Sequence, residues 1–316
     1  MIKVLIGTTV RRQPEILKEY LMSLKCLDKT GLKCNYFFID DNIDNTSKNL
    51  LKAFQEENPE NDVRVIESDL KTSDYIEDEN THYWREDLIW KVARNKNIML
   101  KHALKNEYDY AFLVDSDIFL HPLTLKHLIS LGKDIVSEIF WTKWDNNSVE
   151  LPQVWLSDQY NLFYKSRDEK ISSTELNKRT MDFINKLKIP GVYKVGGLGA
   201  CTLISKNSIS KGVSYSEIYN LTFWGEDRHF CVRAAALGIE LFVDTHFPAF
   251  HIYRKSDLKP LDMYKRYIKD YPEYIFLPGN RLIKENNNKL TLAMIIKNEA
   301  DRYLKDVLLS VKDFIS

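Results

Sequence analysis

The sequence predicts an α/β fold in which helices flank an open, mostly parallel sheet. Short apolar runs alternate with amphipathic helical patterns, as βαβ units require. Polar clusters directly follow three of the predicted strands, at Thr8-Thr9, Asp40-Asp41 and Asp115-Ser116-Asp117. Because ligands of open α/β sheets bind beyond the carboxyl ends of the strands, these clusters predict a binding site at that edge.

The predicted elements follow from hydrophobic periodicity. Pro14 stands where the first turn of the first helix would begin, since proline suits that position. Residues 139–190 lack a strong period and hold three clustered tryptophans, so we expect an irregular region there. Strands are predicted at 2–6, 35–39, 62–67, 110–114 and 240–244, helices at 14–24, 45–54, 88–104, 173–187 and 223–238, and a Gly-rich turn leading into a strand at 195–205.

Composition excludes some partners. The chain has 316 residues, 44% of them hydrophobic, which is enough for a sizeable core. Its 45 basic and 45 acidic residues balance, which argues against a nucleic acid or an anionic membrane as the general partner. The four cysteines form no CxxC pair, so we expect reduced thiols. With neither a signal-peptide pattern nor a transmembrane run, we expect a cytoplasmic, and from the Lys-, Asn- and Ile-rich composition a bacterial, protein.

Asp115 and Asp117 end a strongly apolar strand. Positions i and i+2 of a strand face the same way, so the two carboxylates would lie side by side. Both stay ionised at low cost only when a cation lies between them. Oxygen ligands with open positions suit Mg²⁺ or Mn²⁺ bridging substrate phosphates. The alternative is a polar strand end that caps the next segment.

Five segments in a fixed order carry a resemblance to a known family. They are FFIDDNIDNTSKNLL (37–51), KVARNKNIMLKHAL (91–104), FLVDSDIFLHP (112–122), GGLGACTLISK (196–206) and WGEDRHFCVRAAALG (224–238). In this order and spacing the chain resembles the GT-A glycosyltransferases, which have a Rossmann-like fold and use nucleotide sugars, and within them the family-2 enzymes. The resemblance covers about residues 1–255. It departs from the family pattern at Asn42-Ile43, where Gly-Ser is usual, and this leaves the base and sugar preferences open.

The resemblance implies roles on the side of the sugar donor. Either Asp40 or Asp41 would hydrogen-bond the nucleobase. Arg94 would meet the base or the diphosphate, unless it is a surface cation of its helix, and Asn95 would orient nearby loops. The residues that the resemblance assigns to the nucleotide sugar are Thr8, Thr9, Asp40, Asp41, Arg94, Asn95, Asp115 and Ser116.

The resemblance also implies a metal site. Asp117 would bind Mn²⁺ or Mg²⁺ directly, with Asp115 on the ribose or on metal-bound water. His251 would complete the site, and its imidazole would shift the preference slightly toward Mn²⁺. From spacing alone, His251 is more simply interpreted as a hydrogen-bonded structural histidine.

Residues 224–227 carry the acceptor side of the resemblance. Asp227 would deprotonate the acceptor hydroxyl, with Glu226 contacting the acceptor and Trp224 stacking on a sugar face. A base opposite the leaving group favours inversion of configuration. The alternatives are helix capping for the two carboxylates, since the helix dipole stabilises them there, and a core position for the tryptophan.

We therefore expect a metal-dependent glycosyltransferase that moves a sugar, with a UDP-sugar favoured as donor, to a hydroxyl of a glycan or other glycoconjugate. A sugar-1-phosphate nucleotidyltransferase and a catalytically inactive nucleotide-sugar-binding module remain alternatives. A haloacid-dehalogenase-type phosphohydrolase is disfavoured, because Ile118-Phe119 follow the second aspartate in the middle of the chain.

Three regions are expected. Residues 1–260 would form the GT-A domain, 261–289 a helical or extended linker, and 290–316 the truncated start of a second family-2-like module. The last assignment rests on the Lys-Asn-Glu that follows a strand-like run, as at the start of such a module. The alternative is a final strand and helix that pack on the first domain.

Overall fold

The computed structural model describes residues 1–68, 76–77, 82–145, 148–157, 159–222 and 225–270. A central sheet passes through this part of the chain. Its strands are β1 (Ile2–Val10), β2 (Leu32–Asp40), β3 (Val63–Glu67), β4 (Tyr110–Val114), β5 (Ile135–Glu138), β6 (Val192–Val195), β7 (Cys201–Ser205) and β8 (Leu241–Asp244).

The strand order is β6-β8-β5-β7-β4-β1-β2-β3. β1 to β4 are parallel, as are β5 and β8, whereas β7 runs antiparallel to both β4 and β5, and β6 runs antiparallel to β8. Six strands thus point one way and two the other. The predicted α/β fold with a mostly parallel sheet is confirmed.

Eight α-helices of the described residues cover the sheet. α3, α5, α6 and α7 contribute to the hydrophobic core on one face, and α1, α2 and α4 to the core on the other. The helices are α1 (Pro14–Cys26), α2 (Asn45–Glu56), α3 (Glu86–Lys105), α4 (Thr124–Ser130), α5 (Ser173–Leu187), α6 (Lys206–Ser210), α7 (Glu226–Ala236) and α8 (Leu258–Asp270).

Strand β1 is longer than its apolar pattern predicts. Val4 and Ile6 face one core and Leu5 the other, which explains the continuous apolar run of a strand buried on both faces. The strand then continues through Gly7 to Val10, because these residues keep their parallel pairing with β2, as far as Val10 opposite Asp40. The polar ends of β1 and β2 therefore meet at the same edge of the sheet.

The region predicted to be irregular is held by short strand pairs. Val154–Trp155 pairs with Gly197–Leu198, and Trp141–Thr142 pairs with Leu151–Pro152. Two further pairs join Ile118–Phe119 to Phe250–His251 and Ile76–Glu77 to His82–Tyr83. Two of these four pairs, those of Val154–Trp155 and Ile118–Phe119, connect segments far apart in sequence.

Helix α8 packs on the segment that follows β8. Leu261 and Tyr264 form a separate apolar cluster with Phe250 and Ile252. The predicted linker at 261–289 starts inside this helix, whereas residues 271–316, including the predicted second module, lie outside the described residues. In the part of the chain that the structure describes, no helix is both long and apolar enough to cross a bilayer.

Candidate active site

A cleft of about 400 Å³ opens at the carboxyl edge of the sheet. Asp115, Asp117, Glu226 and Asp227 all line it. A smaller cavity of about 70 Å³ shares Asp115 and Asp117 with the cleft and extends to Thr9 and Asp41. The predicted donor-side and acceptor-side residues thus meet in one continuous space.

Asp117 is the centre of the donor side. It is only 3% exposed, and its Oδ2 pairs with the guanidinium of Arg12 and lies 3.4 Å from Nε2 of His251. Burial alone would raise the pKa of Asp117, but the charge of Arg12 and the neighbouring imidazole of His251 hold it below the usual range. Its Oδ1 is buried and has no hydrogen-bond partner among the described residues.

His251 reaches Asp117 because two short strands pair. Phe250–His251 runs antiparallel to Ile118–Phe119, and the N–H of Ile252 donates to the carbonyl of Asp117 at 2.8 Å. The Nδ1 of His251 lies 2.9 Å from the hydroxyl of Thr142. That hydroxyl also accepts from Nε2 of Gln153 at 3.0 Å. The ring is therefore fixed with Nε2 toward Asp117.

The donor set fits a divalent cation. Asp117 has a buried Oδ1 without a partner among the described residues, and its Oδ2 lies 3.4 Å from the imidazole Nε2 of His251. Carboxylate oxygen and imidazole nitrogen are both ligand types that Mn²⁺ accepts. Asp115 stands further back, since it does not form a group with Asp117 and His251 in which all ligand atoms lie within 4.8 Å. Burial, reinforced by the charges of Asp117 and Asp227, raises the pKa of Asp115 to about 7.

The two threonines of β1 point to opposite faces, as alternation along a strand requires. The hydroxyl of Thr8 is buried and hydrogen-bonds the hydroxyl of Tyr20 on α1. Thr9 lines the smaller cavity, and its buried hydroxyl has no partner among the described residues. Of the pair, Thr9 is the one placed to meet a ligand.

The two aspartates at the end of β2 differ in their contacts. Asp40 accepts hydrogen bonds from the backbone and side-chain N–H groups of Asn42, at 2.9 and 2.7 Å. Asp41 lines the smaller cavity and pairs with Lys91 at 2.5 Å and with Arg11 at 3.5 Å. Asp40 thus shapes the turn, and Asp41 faces the cavity beside Ser116.

The basic residues that line the smaller cavity do not include Arg94, the one predicted from the sequence. Arg94 is exposed on α3 and lines neither the cleft nor the smaller cavity. Asn95 is buried, and its Nδ2 has no partner among the described residues. Arg11, Arg12 and Lys91 line the smaller cavity instead. Two sequence signals could have revealed them: adjacent arginines at a parallel strand end, and a lysine on the apolar face of a helix.

Lys96 is a further residue that sequence reasoning missed. It is 5% exposed, and its Nζ lies 2.8 Å from Oε1 of Glu226 and 3.0 Å from Oδ1 of Asp227. Burial raises the pKa of Asp227 to about 6, and the charge of Lys96 opposes the rise. Burial would lower the pKa of Lys96, but the two carboxylates raise it well above the usual range.

Glycines make room for the acidic start of α7. Gly225 precedes the helix with φ of +119°, a conformation that a residue with a side chain adopts only with strain. A Cβ on Gly199 would lie 2.4 Å from Oδ2 of Asp227. Gly197 makes room for another side chain of the cleft, since a Cβ there would lie 1.9 Å from the ring of Trp155. Trp224 lies outside the described residues.

Aromatic side chains form the far wall of the cleft. Trp155 and Tyr160 both line it, with ring centroids 4.2 Å apart. Trp144 and Tyr253 line another part of the wall, with centroids 5.5 Å apart. The predicted irregular region thus supplies part of this surface.

A family model and several solved structures resemble this chain. The family model Anp1, which describes a glycosyltransferase-like family, matches residues 2–183. No curated protein matches the chain significantly.

Several solved structures resemble the chain at low identity. TarS residues 1–349 from S. aureus has a TM-score of 0.45 and 16% identity, over 86% of this chain and 65% of that one. A longer TarS structure gives 0.46 and 16%, over 89% and 41%. The mannosyltransferase PcManGT from Pyrobaculum calidifontis, in complex with GDP-Man and Mn²⁺, gives 0.48 and 10%, over 87% and 66%. The chain spans less than two thirds of the length of each.

The family match includes the segments from β1 to the tip of β4 and beyond, which carry Asp115 and Asp117, but not the segment of His251. It covers more than half of the sequence. The chain therefore belongs to the Anp1 family, which is a glycosyltransferase-like family.

Proposed function

We propose that this member of the Anp1 family is a GT-A glycosyltransferase that moves a sugar from a nucleoside-diphosphate sugar to a hydroxyl of a glycan or other glycoconjugate, with inversion of configuration. The observation that carries the proposal is that Asp117 and Asp227 line the same cleft. A leaving diphosphate near Asp117 and an acceptor hydroxyl near Asp227 would then face each other across one space. Inversion needs this arrangement, because the base and the leaving group stand on opposite sides of the reacting carbon.

The smaller cavity is the proposed place of the nucleotide. Arg11, Arg12 and Lys91 supply positive charge there, which suits a diphosphate. Thr9 and Asp41 offer an unpartnered hydroxyl and a carboxylate beside it for the nucleoside. UDP is the nucleotide that we propose, and the charges of the cavity fit any nucleoside diphosphate.

Asp117 and His251 are the proposed ligands of Mn²⁺ or Mg²⁺, with Asp115 on the ribose or on a metal-bound water. When bound, the cation would neutralise the negative charge that develops on the leaving diphosphate. Arg12 lies at the same carboxylate and would share that task. Thr142 and Gln153 would keep the imidazole of His251 oriented toward the cation.

Asp227 is the proposed base. A general base works best when its pKa lies near the working pH, and burial raises the pKa of Asp227 to about 6. It is thus ionised at neutral pH yet more basic than an exposed aspartate. Glu226 and the aromatic wall would hold the acceptor, since aromatic faces stack well on sugars.

The experiment measures release of nucleoside diphosphate from a panel of nucleotide sugars, with and without Mn²⁺, in the presence of candidate glycan acceptors. Asp117→Asn should abolish the metal-dependent turnover. Asp227→Asn should leave nucleotide binding intact and lower the transfer rate by about 10²–10⁴-fold, the usual contribution of a general base. Asp262→Asn, an exposed change on α8, is the matched control and should leave the rate unchanged.

Three results would contradict the proposal. Undiminished metal-dependent turnover by Asp117→Asn would remove that residue from the metal site. Retention of the donor's anomeric configuration in the product would remove the inverting role of Asp227. Nucleotide binding without turnover on any donor and acceptor would instead favour an inactive binding module.

A further inference from the structure

A cluster of two histidines and one aspartate lies at the end of β8, and none of its members lines the catalytic cleft. Asp244 is the last residue of the strand, His246 follows it, and His127 projects from α4. One ligand atom from each of the three lies within 4.8 Å of the other two. The proposed reaction uses none of these groups.

The contacts within the cluster converge on Asp244, which is fully buried. Its Oδ1 lies 3.2 Å from Nε2 of His127 and 2.6 Å from Nδ1 of His246, and its Oδ2 accepts from the backbone N–H of His246 at 3.1 Å. Glu138, buried on the neighbouring strand, stands opposite Asp244 in the sheet. Two acidic side chains are thus buried together.

A buried carboxylate in a protein is paired with a cation or coordinates a metal. Among the described residues, the ion pairs of Asp244 are those with His127 and His246, and neither a lysine nor an arginine is paired with it. The two imidazole nitrogens meet at one carboxylate oxygen, at hydrogen-bond distance, and the three groups together also offer a set of metal ligands whose atoms lie within 4.8 Å of one another.

We propose that His127, Asp244 and His246 bind a divalent transition-metal ion, best Zn²⁺, at a site separate from the catalytic cleft. Two imidazoles and a carboxylate are typical protein ligands of zinc, and adjacent ligand atoms of a tetrahedral zinc lie about 3.3 Å apart. His127 and Asp244 already have nearly this separation, at 3.2 Å. The side chains of His127 and His246 are 24% and 32% exposed, which leaves a route for the ion and room for a water as fourth ligand.

The site would join the two segments that carry the proposed catalytic metal ligands. His127 follows Asp117 along one segment, and His246 precedes His251 along the other. The segments pair beside the cleft, and Phe247 stacks on His121 between the two ends, with ring centroids 4.8 Å apart. Zinc at the far end would therefore hold the relative position of Asp117 and His251 as a structural clamp.

The test uses the metal alone on the purified chain carrying Asp117→Asn, so that the cleft contributes little to binding. Zn²⁺ affinity is measured by competition with a chromogenic chelator, and the coordination by the visible absorption of bound Co²⁺. We expect about one tightly bound Zn²⁺ per chain and the intense Co²⁺ absorption of a four-coordinate site. In this background, His127→Gln and His246→Asn each keep an N–H that can donate to Asp244 but remove a metal ligand.

Each of these two variants should weaken Zn²⁺ binding by at least about 100-fold. Removing the hydrogen-bond partner of a metal ligand costs up to about 100-fold in affinity, and removing the ligand itself should cost at least as much. Circular dichroism should show that both remain folded, and His102→Ala, which removes a histidine of α3, should bind like its parent. The proposal is overturned if the parent binds no stoichiometric Zn²⁺, or if His246→Asn binds as tightly as the parent. Because nucleotide sugars play no part in the measurement, the result is independent of the proposed reaction.

Discussion

Lys96 of α3 and Asp227 of α7 form a buried ion pair, with Nζ 3.0 Å from Oδ1. The same nitrogen contacts Glu226 at 2.8 Å and lies 4.9 Å from the ring centre of Tyr215. A single lysine thus fixes the acidic start of α7 against the long helix that also supplies Lys91 to the smaller cavity. Removing one member of such a buried pair costs more than the pair contributes, since the other charge is left without a partner.

Lys96→Met should move the pH profile of the transfer rate to higher pH. The charge of Lys96 lowers the pKa of Asp227 against the rise that burial causes, so its loss raises that pKa further. A general base acts when deprotonated, and the rate therefore increases as pH rises through this pKa. We expect the acidic limb to shift upward by more than about one pH unit, as for loss of a nearby opposite charge.

The matched control for this prediction is Lys101→Met, which removes an exposed lysine from the same helix. It should leave the profile in place. An unshifted acidic limb in Lys96→Met would mean that the limb reports another group, and Asp115, whose pKa burial raises to about 7, would be the next to test.

Gly199→Ala should lower kcat with little change in stability. Its Cβ would lie 2.4 Å from Oδ2 of Asp227, so the carboxylate must leave its position. A misplacement of a reacting group by about 1 Å can cost about 10²-fold in rate. The check is kcat in the Gly199→Ala chain with and without Asp227→Asn. If the alanine acts through Asp227, it should add no further loss in the double variant, and an equal loss in both backgrounds would contradict the prediction.

Thr142→Val should weaken Mn²⁺ binding while keeping the shape of the side chain. It removes the hydroxyl that orients Nδ1 of His251 at 2.9 Å. Loss of a partner that orients a metal ligand typically costs about 10–100-fold in affinity. Titration of Mn²⁺ into the nucleotide-bound protein measures the change. Thr142→Ser keeps the hydroxyl and should bind like the native chain, whereas equal affinity in all three proteins would show that the Thr142 hydroxyl does not orient a metal ligand.

Leu261→Ala should destabilise the fold by about 2–5 kcal/mol, as expected for a buried leucine. Leu261 is fully buried in the cluster that joins α8 to Phe250 and Ile252, beside His251. Chemical denaturation measures the free energy of unfolding. Met263→Ala, on the exposed side of the same helix, should change it by less than about 0.5 kcal/mol.

The sequence alone predicted the elements that depend on local patterns of apolar residues. Strand β4 and helix α5 have the predicted bounds, because an apolar run ending in aspartates and an amphipathic helix are local patterns. The short strands at 141–155 could not be predicted in the same way. Val154–Trp155 is a strand only because Gly197–Leu198, far along the chain, supplies its hydrogen bonds.

The residues of the candidate site could likewise be predicted only in part. The carboxylates at strand ends could be predicted, since parallel topology places those ends together. The cations around them could not be chosen correctly from a motif. Arg94 matches the family pattern but is exposed, whereas Lys91, on the inward side of α3, reaches Asp41. Helix rotation decides which basic residue faces the cavity, and the catalytic roles remain predictions.

The contact between Gly197 and Trp155 has a consequence for the evolution of this family. Gly197 does not have a positive φ, so backbone freedom is not the reason for a glycine there, and the indole occupies the space of the missing side chain. Substitutions at the two positions should therefore covary. Relatives with a residue larger than glycine at 197 should carry a small residue at 155, and the wall of their cleft would then have a different shape.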